Sequence, residues 1–119
     1  IDHSQVLGRG GFGIVCKGTF HGAVVAIKLP RYREVSTRSE KFMYSLCNEV
    51  RVLRRLRNPN IVGLHGVVID PKNQKIVLVL EYIQGVALGS FIERHAVGEA
   101  NPIRCKVSID VCCALRYLH

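Results

Sequence analysis

Gly8-Arg9-Gly10-Gly11-Phe12-Gly13-Ile14-Val15 and, fifteen residues after its last glycine, Lys28 closing Val25-Ala26-Ile27-Lys28 are the stretches on which the fold turns. The first fits G-x-G-x-x-G-x-V. Glycines at this spacing let backbone amides approach phosphate oxygens, because no Cβ intervenes. They also make tight turns, and the spacing alone does not choose between these uses. The residues after Gly13 narrow the choice. A dinucleotide-binding fingerprint runs from its glycines into a helix. Here the chain continues as Ile14-Val15-Cys16-Lys17-Gly18-Thr19-Phe20, with β-branched residues and an internal glycine, which predicts a strand. The glycines therefore sit between two strands, Gln5–Gly10 and Gly13–Phe20, as a loop folded over whatever lies beneath.

Beyond these stretches, His21-Gly22 reads as a turn joining Gly13–Phe20 to a third strand, Ala23–Leu29, which Pro30 stops. Ser39–Arg57 reads as a helix, with Phe42, Leu46, Val50, Leu53 and Leu56 recurring at helical spacing and Asn58-Pro59-Asn60 ending it. Two more strands are expected at Leu64–Ile69 and Lys75–Glu81, with Asp70-Pro71-Lys72-Asn73 as the turn between them. A short helix, Leu88–His95, comes after the break at Gln84-Gly85. A final helix, Ile103–His119, is introduced by Asn101 as cap and Pro102 at its first position. Three strands, a helix, two strands and then helices make an α+β chain with an antiparallel sheet.

The glycine loop followed by Val25-Ala26-Ile27-Lys28 resembles the signature of eukaryotic protein kinases. The resemblance covers the whole chain, from the start of the small lobe into the large lobe. Its flavour, Gly10-Gly11-Phe12-Gly13 with Lys17-Gly18-Thr19-Phe20-His21-Gly22, is similar to the tyrosine-kinase-like group, most of whose members are serine/threonine-specific. It implies a five-stranded antiparallel sheet with one helix, αC in the family, and then the first helices of the large lobe. Residues 1–82 would form the ATP-binding small lobe and 83–119 the hinge and the beginning of the large lobe.

The resemblance also implies roles. Lys28 would grip the α- and β-phosphates and pair with a helix glutamate. Two glutamates compete, Glu40 and Glu49. At about 100° per residue, Glu49 falls about 20° from Phe42, inside the apolar stripe, whereas Glu40 falls about 160° away. A carboxylate centred on a buried face is costly without a cation, so the wheel picks Glu49. The string Glu49-Val50 through Leu56-Arg57-Asn58-Pro59-Asn60-Ile61-Val62 is similar to the family's, with Asn58 where histidine is common. Gly8, Arg9, Gly10, Gly11, Phe12 and Gly13 would cover the phosphates. Leu7, Val15 and Ala26 would sandwich the adenine. Leu80 would stand at the back of the pocket, and the main chain of Glu81 and Ile83 would meet the adenine edge. Leu53 and Leu64 resemble two small-lobe members of the family's regulatory spine.

The chain stops at His119 with no Arg-Asp after it. The expectation is a fragment whose parent carries the catalytic base and the Mg²⁺ ligands beyond this point. The implied activity is transfer of the γ-phosphoryl group of Mg-ATP to serine or threonine hydroxyls of proteins, with ATP and a protein substrate as partners. Two alternatives stay open, a pseudokinase acting as a nucleotide-binding or scaffolding module and a tyrosine-specific kinase.

Composition bounds the rest. The chain has 119 residues, 48% of them apolar and 22% charged, which excludes disorder and coiled coil. Apolar runs such as Ile76–Leu80 are far short of the ~20 residues of a membrane span. Of the +8 net charge, +5 lies in Arg31–Arg57, with eight basic and three acidic residues. That excess reads as a solvated helix face or as a dock for a phosphorylated or acidic partner. The stretch lacks the interleaved aromatics of a nucleic-acid module, so no nucleic-acid partner is expected. Five cysteines with no C-x-x-C pair give neither a disulfide framework nor a zinc spacing, and no metal site is expected. They suggest buried thiols in a reducing, cytoplasmic setting.

Overall fold

The computed structural model describes residues 5–11, 13–30, 36–70, 72, 75–94 and 102–119, with backbone alone for 36–42. Phe12, the Asn101 cap, His95, the centre of the turn after Asp70, and the side chains of Glu40 and Phe42 lie outside the described residues. The elements in order are β1 (Val6–Gly10), β2 (Gly13–Phe20), β3 (Ala23–Pro30), α1 (Ser36–Leu53), β4 (Leu64–Asp70), β5 (Lys75–Glu81), α2 (Leu88–Arg94) and α3 (Pro102–Leu118). The five strands form one antiparallel sheet in the order β1-β2-β3-β5-β4. This is the α+β architecture that the sequence pattern implies.

Two hairpins organise the first three strands. The β2–β3 turn is His21-Gly22, with φ of 49° and 81°. Positive φ at both central residues is the turn geometry that matches the twist of the flanking strands. In the β1–β2 hairpin, Gly10 pairs with Gly13. Gly13 has φ of 145°, and a Cβ there would lie 2.2 Å from the Leu29 carbonyl oxygen. The last glycine of the loop is thus required by the approach of β3. Pro30 ends β3 as its final residue, opposite Gly13.

Register sorts the sheet into two faces, since side chains alternate along each strand. On one face Cys16, Val25, Ile27 and Val79 are buried, with Phe20, Leu29 and Val77 packed around the last three. Gly18 belongs to this face, and a Cβ on it would meet Ile27 Cδ1 at 2.3 Å. The internal glycine of β2 therefore makes room for Ile27. The opposite face carries Val15, Lys28 and Leu78 in one cross-strand row and Lys17, Ala26 and Leu80 in the next.

α1 ends four residues earlier than the apolar periodicity suggests. After Leu53 the chain tightens: Arg55 N–H donates to Val52 O at 3.0 Å and Leu56 N–H to Leu53 O at 3.2 Å. Such i→i−3 bonds are the usual close of a helix. Leu56 stays half-buried through this turn. Thiol burial also differs from expectation. Cys16 is buried, while Cys47, Cys105, Cys112 and Cys113 are exposed. The last three sit on α3, which has no buried residue.

Candidate functional site

The site builds on the second sheet face. Lys28 stands on β3 with Val15 opposite it on β2 and Leu78 opposite it on β5. Glu49 stands on α1 beside buried Leu46 and half-buried Val50 and Leu53. Lys28 Nζ donates to Glu49 Oε1 at 2.5 Å, and the two side chains are 18% and 34% exposed. A carboxylate on the inward stripe of a helix thus has a cation across from it, which offsets its desolvation. The pair ties α1 to the sheet on the face that also carries Val15, Ala26 and Leu80.

Ala26 is 8% exposed and stands between Lys17 on β2 and Leu80 on β5, the smallest side chain of that row. Leu7 is 46% exposed at the bulge where β1 changes register against β2. In the β1–β2 hairpin, Gly8, Gly10 and Gly11 border open space, since a Cβ on any of them would meet nothing within 4 Å. Arg9 pairs with Ile14 and is exposed, on the same hairpin. A glycine hairpin with open space at these positions, two residues along β2 from the Val15–Lys28 pair, has backbone amides and a nearby ammonium-bearing strand of the kind that can accept an anion.

At the far end of β5, Glu81 N–H donates to Gly63 O at 2.8 Å and Gly63 N–H donates to Glu81 Oε2 at 3.1 Å. The Glu81 side chain is thereby drawn toward the segment before β4. Ile83, 62% exposed, lies in the connection to α2. The segment after α1 is also fastened to α3: Arg57 N–H donates to the Tyr117 hydroxyl at 3.0 Å and Asn60 Nδ2 donates to Asp110 O at 3.0 Å. The sequence carries no signal for these long-range bonds, nor for Lys17, whose Nζ lies 5.1 Å from the Tyr82 ring centroid.

Elsewhere, a cavity of about 520 Å³ lies between α2 and α3, with Leu88, Phe91, Val107 and Val111 in its wall. It contains none of the sequence-predicted nucleotide residues. No cluster of three or more His, Cys, Asp or Glu is found among the described residues. No helix among them is long and apolar enough to cross a membrane.

Comparison with known proteins places this geometry. The family described as protein tyrosine and serine/threonine kinase matches residues 1–119. A probable receptor-like protein kinase of Arabidopsis thaliana is 36% identical over 99% of the chain, which spans 17% of that protein. Dual specificity protein kinase splA of Dictyostelium discoideum is 33% identical over 100% of the chain and 5% of its own length. A probable serine/threonine-protein kinase of the same organism is 34% identical over 95% of the chain and 21% of its own length. The chain therefore spans less than a quarter of each of these relatives. With the five-stranded sheet, its helices and the family match in agreement, the chain belongs to the protein tyrosine and serine/threonine kinase family.

Proposed function

We propose that this chain is the ATP-binding part of a protein kinase that transfers the γ-phosphoryl group of Mg-ATP to serine or threonine hydroxyls of proteins. The observation that carries the reading is the Lys28–Glu49 contact, set on the sheet face of Val15, Ala26 and Leu80 beside a glycine hairpin with open backbone. In this reading residues 1–82 form the nucleotide-binding small lobe and 83–119 the hinge and first large-lobe helices. Lys28 orients the α- and β-phosphates, and Glu49 holds Lys28 in place. Gly8, Arg9, Gly10, Gly11, Phe12 and Gly13 form the loop over the phosphates. Leu7, Val15, Ala26 and Leu80 bound the adenine, whose edge meets the main chain of Glu81 and Ile83. The Mg²⁺ that accompanies ATP neutralises phosphate charge, and this chain's part is to bind and orient the nucleotide. Serine/threonine preference is supported by the name of the second Dictyostelium relative and by the flavour of the glycine loop.

The test is radiolabel transfer from γ-labelled ATP by the full-length protein to peptides offering serine, threonine or tyrosine. Lys28→Met is expected to lower transfer by on the order of 10²–10³-fold, the usual cost of removing one electrostatic contact to the reacting group. The protein should remain folded by circular dichroism. Label should appear on serine and threonine. A Lys28→Met protein working at full rate overturns the assignment, and label on tyrosine alone overturns the substrate class.

A further inference from the structure

Lys17 lies on β2 two residues beyond Val15, on the same sheet face, and in one row with Ala26 and Leu80. Tyr82 is two residues beyond Leu80, just past the end of β5. The Lys17 ammonium stands 5.1 Å from the centroid of the Tyr82 ring. That is within the roughly 6 Å at which a cation is drawn to the face of an aromatic ring. Both residues are half-buried, which strengthens the attraction relative to a fully wet pair. Among the described residues Lys17 makes no ion pair, and its ammonium faces the Tyr82 ring.

The contact sits where it can act on the glycine hairpin. β1 is exposed along its whole length and is an edge strand paired to β2 alone. The hairpin therefore takes its tilt from β2. β2 is held to β3 by the ladder, and Lys17 ties it to Tyr82, just past the end of β5. We infer that Lys17 is a positioning residue which, through Tyr82, holds β2 against the segment leaving β5 and so slows release of the adenine nucleotide. This rests on the nucleotide-binding reading proposed above. The contact starts from the Lys17–Ala26–Leu80 row of the face that also carries Val15.

The experiment is stopped-flow release of a fluorescent ADP and a fluorescent adenosine from the full-length protein. Lys17→Met is expected to speed release about three- to tenfold, the range of a partly desolvated cation–π contact, with the association rate little changed. Tyr82→Leu should do the same. Lys17→Arg and Tyr82→Phe, which keep a cation and a ring, should release at close to the original rate. The double variant should be no faster than either single one, because residues acting as one contact are not additive. ADP and adenosine should show the same ratio. Unchanged release in Lys17→Met, additive effects, or an effect confined to ADP each overturn the inference, the last by making Lys17 a phosphate ligand. Wild-type protein that binds neither probe sinks the nucleotide reading and this inference together. Binding with unaltered release removes the inference alone.

Discussion

Glycines that look alike in the sequence differ in what demands them. Gly13 has φ of 145° and would set a Cβ 2.2 Å from a backbone oxygen, so an L side chain there is strained and blocked. Gly10, in the same loop, has open space around it and an ordinary φ. Gly13→Ala is expected to cost about 1–3 kcal/mol, the range for a backbone forced into a sparse conformation, read as a lower midpoint in urea unfolding. Gly10→Ala should leave that midpoint within about 0.5 kcal/mol and still weaken nucleotide binding, measured by calorimetry, if its backbone lies against phosphate. A Gly10→Ala protein with unaltered affinity would remove the phosphate role from that position. Charge at Glu49 obeys the same logic. Its place on the inward stripe of α1 demands a cation, and Lys28 supplies one at 2.5 Å.

Among the elements, β2 carries the most constraints. Its N-terminal end forms the glycine hairpin, its middle passes Ile27 with no side chain to spare at Gly18, and its C-terminal end enters the His21-Gly22 turn. Gly18→Ala pushes a methyl group onto Ile27 Cδ1, and Ile27 is only 5% exposed, so its side chain has little room to turn. Overpacking of this kind costs about 1–3 kcal/mol. Ile27→Val removes Cδ1, the nearer of the two atoms in conflict, and leaves Cγ1 at 3.2 Å. The pair Gly18→Ala with Ile27→Val should therefore be less destabilised than the sum of the two single variants, by at least about 0.5 kcal/mol in a double-mutant cycle. Strict additivity in urea melts would show that the conflict is relieved elsewhere. α1 shows the limit of a periodic signal. Leu56 continues the apolar spacing, but the hydrogen bonds have already changed to i→i−3 after Leu53. A half-buried side chain on a closing turn leaves the same pattern as one on a helix.

For the molecule as a whole, the radius of gyration is 16.7 Å and the extents are 53 × 35 × 31 Å. A compact domain of this length has a radius of about 13.5 Å. Among the described residues, burial is confined to the sheet and α1, while α2 and α3 have no buried residue and extend the molecule. On α3, Ile103, Val111, Leu115 and Leu118 are about half exposed, at 54%, 46%, 51% and 52%. A helix with so broad an apolar face calls for burial against further structure. The isolated 119-residue chain is expected to self-associate despite its charge of +8. Light scattering should give a mass above the 13.3 kDa monomer. Leu115→Glu with Leu118→Lys should shift that mass toward one copy. A monodisperse monomer of the unaltered chain would refute the argument from the exposed face. The isolated chain should also transfer no phosphate, since the catalytic loop of the family does not occur in its sequence.

Strand order along the chain, the glycine hairpin and the kinase resemblance were all legible in the sequence. These rest on local features: alternation, turn residues and short motifs at short spacing. The Lys28–Glu49 contact was legible as well, because a helix maps linear spacing onto faces and puts Glu49 on the apolar one. Three things had to wait for the folded chain: which glycines packing requires, where α1 closes, and which distant groups meet. The bonds from Arg57 to Tyr117 and from Asn60 to Asp110 join residues 60 and 50 apart. No periodicity records such meetings, since they depend on how the sheet, the post-α1 turn and α3 are brought together. Lys17 and Tyr82 belong to the same class. Each is an ordinary residue on its own strand or loop, and only the antiparallel register of β2, β3 and β5 puts the cation over the ring.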